Sequence, residues 1–512
     1  MTIVTYIFLL PLLAALVILL IPRNFRFVIR SLALLAALAS LVLAVVMFCK
    51  FDSSKAGDGF QFEQEREWAS AMGISYHVGV DGINLGLMLM GAVVVFAAVC
   101  VSREIKTREK EFYILLLLMG GGILGAFASL DLFFFYFFHE LALVPTFIMI
   151  GLWGRGENKN FAAFQITLYL SVGALLVLLG LIALYLQLPA PDRTLDLVKL
   201  TAYFKEHTMP DSAQRLIFPV LLFGFGILVS LWPFHTWAPL GYGSAPTATA
   251  MIHAGVLKKF GLYGLIRIAL PFMPGEAQHW ARILAILCLG NIFYCGLVAM
   301  RQRNLNLLIG NSSVAHMGFA FLGIASLSLI GITGTVVIMV AHGFLAALTF
   351  SLSGYVYCEV KTLDMDQMGG LLRKLPFIGT VMIIAMLAGC GLPGFAGFPG
   401  EVLVLFGSWQ SPQSSHLITG LAVWGALIIA GVYMLRAIRD IWHGDKQWTS
   451  LADARTFWRR TPYALLLTCL IIFGCFPRLL TDNIKASVAP VVSMVGAGSG
   501  PMTAIAKGDS AR

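Results

Sequence analysis

Apolar runs of about 20 residues recur along this chain from end to end, each long enough to cross the hydrocarbon of a bilayer as one helix. They are read at residues 2–22, 28–49, 79–102, 112–130, 132–152, 162–187, 216–234, 247–272, 280–300, 306–325, 329–357, 375–408, 416–437 and 463–481. A backbone in lipid must satisfy its own polar groups, and a helix does so within one segment. These fourteen segments therefore predict an all-α, polytopic membrane protein. Composition agrees. Hydrophobic residues make up 59% and charged residues 12% of the 512, with a mean hydropathy of +0.85, whereas soluble chains carry about 25% charged residues.

Orientation follows from the short basic loops. With the first helix starting outside, the inner connections hold 20 Lys and Arg and the outer connections and tails 12. The positive-inside bias then puts both termini on the outer face. This bias accounts for the net charge of +9 without invoking nucleic acid. The first helix has no basic segment before it and no small-residue cleavage site after it, and reads as a retained span. The eight cysteines stand in or beside apolar runs without C-x-x-C spacing, so no metal or iron–sulfur site is expected. No P-loop or glycine-rich strand-to-helix turn is present either. Any redox chemistry linked to this chain is expected in other subunits. The residues 494–512, rich in Gly, Ser and Ala, are expected to be poorly ordered.

Two apolar stretches are interrupted. Between Trp232 and Thr247 stand Pro233, Pro239, Pro246, Gly241 and Gly243, which remove helical donors and free carbonyls. The stretch from Gly389 to Glu401 contains five glycines and two prolines. Two broken helices at corresponding places of two five-helix blocks point to a repeat-built transporter with polar sites near the midplane.

Ionisable residues inside the apolar runs are the candidate machinery, because burying them in lipid is costly. Glu140 lies about 12 Å into the fifth span at 1.5 Å per residue. It must stay protonated or meet a basic partner. His139, about 100° away on the same helix, reads as packing. Lys258 and Lys259 are separated by the same angle, so one is expected to face the interior and the other a neighbouring helix or a snorkelling route. His253, His316 and His342 serve either as proton relays or as core residues, and Thr249 shares a face with His253. Glu401 opens the second half-helix, where the dipole favours its charge. Asp81 and Asp131 read as helix caps, and the charged segment 50–76 as an exposed loop.

The motifs Phe138-His139-Glu140-Leu141-Ala142-Leu143-Val144-Pro145, Gly151-Leu152-Trp153-Gly154, His235-Thr236-Trp237 with Ala245-Pro246-Thr247, Ala254-Gly255-Val256-Leu257-Lys258-Lys259, Ser313-Val314-Ala315-His316-Met317-Gly318, Ala341-His342-Gly343 and Gly391-Leu392-Pro393 with Gly400-Glu401 closely resemble the antiporter-like subunit M family of proton-pumping NADH:quinone oxidoreductase, respiratory complex I. The resemblance implies one membrane domain over 1–512: N-terminal helices 1–111, two inverted five-helix repeats at 112–272 and 280–437, a C-terminal region 438–493 and the tail. It implies a proton path through Glu140, Lys259 and Glu401, with His316, His342, Lys258 and His253 as secondary stations. It also implies partner membrane-arm subunits in a bacterial inner membrane, with FMN, iron–sulfur clusters and quinone bound by partners and no cofactor in this chain.

The chain departs from that pattern in three places. Leu228 occupies a position where the family usually has a Lys that partners the essential Glu. Ala238-Pro239-Leu240-Gly241-Tyr242 and Asn304-Leu305-Asn306-Leu307 replace segments that usually carry charge. Either Lys258 rebuilds the pair with Glu140, in which case Lys258→Ala impairs translocation nearly as much as Lys259→Ala, or Glu140 stays protonated and the chain pumps weakly. The alternatives are a sodium/proton antiporter subunit of the Mrp type, a module of a hydrogenase-linked or carbon-uptake complex, and a scaffold that does not pump.

Overall fold

The computed structural model describes residues 1–190 and 193–497. In chain order its helices are α1 (Ile3–Leu20), α2 (Arg26–Lys50), α3 (Gly82–Val101), α4 (Glu109–Ala128), α5 (Leu132–Trp153), α6 (Lys159–Tyr185), α7 (Leu197–Glu206), α8 (Asp211–Val229), α9 (Trp237–Ser244), α10 (247–272), α11 (Pro274–Arg301), α12 (Leu305–Ala325), α13 (Leu329–Val360), α14 (Pro376–Ala388), α15 (Gly397–Gln410), α16 (His416–Trp442), α17 (Phe457–Cys475) and α18 (Arg478–Ala497). Eleven of these are long and apolar enough to cross a membrane alone, or twelve with α17 and α18, which meet at 68°. A count of fourteen rests on adding α10 and the pair α14–α15, which are assembled from shorter pieces. The expected flexible tail begins too early, since α18 continues to Ala497; the rest of it lies outside the described residues.

Segment 50–76 is more than a loop. Strands β1 (Gln61–Ala69) and β2 (Ile74–Val80) form an antiparallel hairpin, turning through Gly73 at φ +66. The hairpin was hidden because β1 carries charged residues on an exposed strand, where a search for apolar runs sees only a polar connection. β2 is buried almost throughout, and its end runs directly into the Asp81 cap of α3, where Asp81 accepts from Ile83 and Asn84 N–H and Asn84 reciprocates. Asp131 caps α5 in the same way through Phe133 and Phe134 N–H.

Helices α3, α12 and α13 form the interior, with 89%, 94% and 89% of their apolar windows buried, whereas α2 and α6 are only 33% and 39% buried. Small residues let the interior helices approach. A Cβ added at Gly334 of α13 would lie 2.7 Å from Val404 N and 2.8 Å from Gly400 O of α15. Backbone contact of this kind is how helices associate where lipid removes the hydrophobic drive.

Both interruptions are satisfied from neighbouring helices. α8 ends at Ser230 in the left-handed region (φ +73). Asn291 of α11 donates to Ser230 O at 2.8 Å and accepts from Trp232 N–H at 2.8 Å. One amide side chain thus replaces two lost helical bonds, which is why non-helical backbone survives at this depth. In the second break, Ala396 N–H donates to Leu470 O at 2.9 Å, and Gly389 O faces His316 at 3.2 Å.

Candidate functional site

The site grows from a defect in α10. Residues His253–Leu257 form a π-turn, so Lys258 N–H reaches His253 O, five residues back, at 3.0 Å rather than Ala254 O. Single π-turns inside α-helices mark functional positions. Here the Ala254 carbonyl accepts Lys259 Nζ at 2.6 Å. The ammonium end of Lys259 is then held at 2.8 Å from His342 Nδ1 on α13. Lys259 is fully buried.

From His342 the polar groups continue. The rings of His342 and His316 have centroids 5.6 Å apart. His316 on α12 has Ser312 O at 2.8 Å from Nδ1 and Gly389 O at 3.2 Å from Nε2, and Glu401 Oε1 at 4.0 Å. A neutral imidazole donates to one of those carbonyls at a time, and a protonated one to both. Glu401 is the fifth residue of α15, just past its first turn. A Cβ on Gly391, which has φ +71, would lie 2.5 Å from Glu401 Oε2, so only glycine lets the break close over this carboxylate.

Three cavities of about 10 Å³ each meet at His316, each the size of a single water site. One is shared with Glu401 and Tyr433, one with His342 and Glu401, and one with Ser312, Ser313 and His342. Four residues singled out in the sequence, Lys259, His342, His316 and Glu401, are thereby brought into one file with room for water beside it.

Lys258 is also buried, at 1% exposure, so of the two directions expected for the second lysine it takes the neighbouring helix rather than a snorkelling route. Its Nζ lies 3.4 Å from Ser313 Oγ and 5.7 Å from the Tyr242 ring centroid. It makes no ion pair with Glu140 among the described residues, so the rebuilt Lys258–Glu140 pair does not form: the side chain leaves α10 toward α12, away from α5. His253 turns instead to Tyr242, with Nδ1 3.2 Å from the hydroxyl, while Thr249 donates to Met149 Sδ at 3.7 Å. The shared face of Thr249 and His253 is thus split between two neighbours.

Glu140 stands apart. Its side chain is 32% exposed, on the outer face of α5 with Phe133, Phe137 and Val144. Its closest basic atom is His139 Nδ1 at 3.4 Å. Leu228 is buried and faces Gly173 of α6.

Sequence reading missed two charged constellations at the Asp81 end of the spans. Arg267 of α10 donates to the Asp81 carboxylate and, through Nε, to Tyr263 Oη at 3.2 Å. The signal was available, since an Arg in an apolar run requires a carboxylate at the same depth. The second is a knot outside the spans. His77 Nδ1 lies 2.5 Å from Asp196 Oδ2 and Nε2 2.6 Å from Glu63 Oε1, and Ser75 N–H donates to Asp131 at 3.0 Å. Glu65, His77 and Asp196 are close enough to ligate a metal, but both His77 nitrogens are already engaged and Glu65 pairs with Lys199 at 2.7 Å. Burial pushes His77 down, yet its two carboxylates outweigh that and hold it above its ordinary range. Burial pushes Asp196 up, yet His77 and the Lys199 N–H hold it low. Burial lifts Asp131 to about 6 against the pull of three backbone N–H groups, with Asp196 adding repulsion.

Residues 129–429 match the family described as NADH:quinone oxidoreductase/Mrp antiporter, TM. NADH-quinone oxidoreductase subunit M of Rhodobacter capsulatus is 31% identical over 498 residues, covering 95% of this chain and 94% of its own. The subunit M of Rickettsia prowazekii (strain Madrid E) is 32% identical over 459 residues, covering 89% and 91%. A chain of respiratory complex I from Thermus thermophilus with bound NADH superposes with a TM-score of 0.86 at 27% identity, covering 96% of this chain and 100% of its own. A chain of the Mrp complex from a Dietzia species shares the fold, with a TM-score of 0.83 at 17% identity over 97% of this chain and 100% of its own. A family match over more than half the chain, carried by relatives that align almost end to end, makes this multi-pass membrane protein a member of the NADH:quinone oxidoreductase/Mrp antiporter family of antiporter-like subunits.

Proposed function

We propose that this chain is a proton-translocating membrane-arm subunit of a respiratory NADH:quinone oxidoreductase in a bacterial inner membrane, with both termini outside. Protons travel along Lys259, His342, His316 and Glu401, driven by quinone reduction in partner subunits that hold FMN and the iron–sulfur clusters. The observation that carries this reading is the contact between Lys259 Nζ and His342 Nδ1 at 2.8 Å, a distance across which an amine can hand a proton to an imidazole.

The chemistry follows from the geometry. When Lys259 gives its proton to His342 Nδ1, the imidazolium passes the proton from its other nitrogen, through water, to His316. A charge on His316 at 4.0 Å from Glu401 interacts with that carboxylate by about 4 kcal/mol at an effective dielectric of about 20. That is enough to draw the proton on. The interacting sites titrate together rather than singly. A path of two imidazoles, one amine and one carboxylate suits H⁺ better than Na⁺, which prefers a cage of oxygens. Glu140, half-exposed on an apolar face, is assigned to the entry side, where a neighbouring membrane subunit covers it, since a carboxylate left against lipid is costly.

The test is the ratio of protons taken up to NADH oxidised by inside-out vesicles carrying Lys259→Met. A lowered ratio with the complex assembled is expected, and an unchanged ratio would overturn the reading.

A further inference from the structure

Glu140 faces no lysine or arginine; among the described residues its one basic contact is His139. That histidine is 1% exposed. Its Nδ1 and Glu140 Oε1 are both buried and both lack a hydrogen-bond partner, although only 3.4 Å separates them. Buried polar atoms are rarely left this way. A small rotation of either side chain would close the gap to an ordinary charge-assisted bond of about 2.7–2.9 Å. Two adjacent atoms, one able to give a proton and the other to take it, stand uncommitted to anything else.

The His139 ring is fixed for the task. It stacks on Phe260 with centroids 3.9 Å apart and planes at 19°, and Phe260 directly follows Lys259. α5 packs against the π-turn of α10, which carries His253, whose Nε2 is likewise buried and unpartnered. The ring therefore lies between an outward-facing carboxyl and the helix that bears the central lysine.

Resting on the proposed function above, we infer that His139 is the proton relay that links Glu140 to α10, the role for which no lysine is in place. The O–H bond of the Glu140 carboxyl breaks as an N–H bond forms at His139 Nδ1, leaving carboxylate and imidazolium. The imidazolium then releases the proton from its other nitrogen toward α10, and Glu140 is reprotonated from the exposed face of α5. No electrons move, and the ring resets by exchanging tautomers.

The experiment compares His139→Phe, which keeps the stack on Phe260 and cannot carry a proton, with His139→Lys, which restores a basic group, and with Glu140→Gln. Each is made in the whole complex. Assembly is read by NADH oxidation with an artificial acceptor, and coupling by protons taken up per NADH in inside-out vesicles. The expected result is a fall with His139→Phe to the level of Glu140→Gln, no further fall in the double variant, and partial recovery with His139→Lys. A wild-type ratio for His139→Phe beside a lowered one for Glu140→Gln overturns the relay. So does a His139→Phe complex that fails to assemble, which assigns the residue to packing. A wild-type ratio for Glu140→Gln overturns the entry role of Glu140 and the relay with it, while leaving the Lys259 test unaffected.

Discussion

Lys259 of α10 and His342 of α13 face each other across 2.8 Å between Nζ and Nδ1, both side chains buried. Residues that act as a unit do not lose function additively. Lys259→Met and His342→Phe are each expected to lower translocation about tenfold or more, in the range of a lost acid–base group. The double variant is expected to be no worse than either. Proton uptake per NADH in vesicles measures all three, and a multiplicative loss in the double variant would show that the two residues work separately.

Gly391 controls the position of Glu401. An alanine there must adopt φ +71 and place its Cβ 2.5 Å from Oε2, straining the backbone by about 1–3 kcal/mol and displacing the carboxylate from His316. Gly391→Ala should lower translocation as far as Glu401→Gln does, with thermal unfolding shifted by a few degrees. Wild-type coupling in Gly391→Ala would mean that the Glu401 position is not critical.

The pair of Arg267 and Asp81 locks the C-terminal end of α10 to the start of α3. Removing one partner of a buried ion pair costs about 3–5 kcal/mol, and removing both costs less. Arg267→Met is expected to lower the thermal midpoint of the complex more than Arg267→Met with Asp81→Asn, since Asn still caps α3. Thermal unfolding in detergent decides the order.

Most of the buried polar file was legible because charge inside an apolar run is conspicuous. Lys259, His316, His342 and Glu401 could be named from position alone, and the two broken helices from their glycines and prolines. What was not legible was which helix each side chain meets. The direction of Lys258 depends on the π-turn, whose backbone angles differ little from an α-helix. His139, read as packing, does stack on Phe260, and its imidazole also turns back to within 3.4 Å of Glu140, a proximity that a 100° helical separation does not reveal. The hairpin and its His77 knot were invisible because Asp131 lies 56 residues from its partner Ser75 and Asp196 lies 119 residues from His77.

That knot makes the hairpin sensitive to pH. Asp196 is held low, so its contribution is present above its ordinary value of 3.8 and lost as pH falls through its folded value. His77 is held high, so its contribution is present below 6.5 and lost as pH rises through its folded value. Asp131, lifted to about 6 by burial, contributes below 3.8 and loses that contribution as pH rises through about 6. Protection of residues 61–80 against hydrogen exchange, taken relative to the intrinsic base-catalysed rate at each pH, should therefore be greatest under mildly acidic conditions and lower on either side. His77→Gln should remove the alkaline limb due to His77, and a pH-independent profile in the parent would contradict the assignment.

The most direct measurement is the number of protons taken up per NADH oxidised by the assembled complex with His316→Phe, because all three cavities and both halves of the file meet at that ring. The account predicts a lowered ratio in a complex that still assembles and still transfers electrons to an artificial acceptor. A wild-type ratio would show that the protons take another way through the membrane.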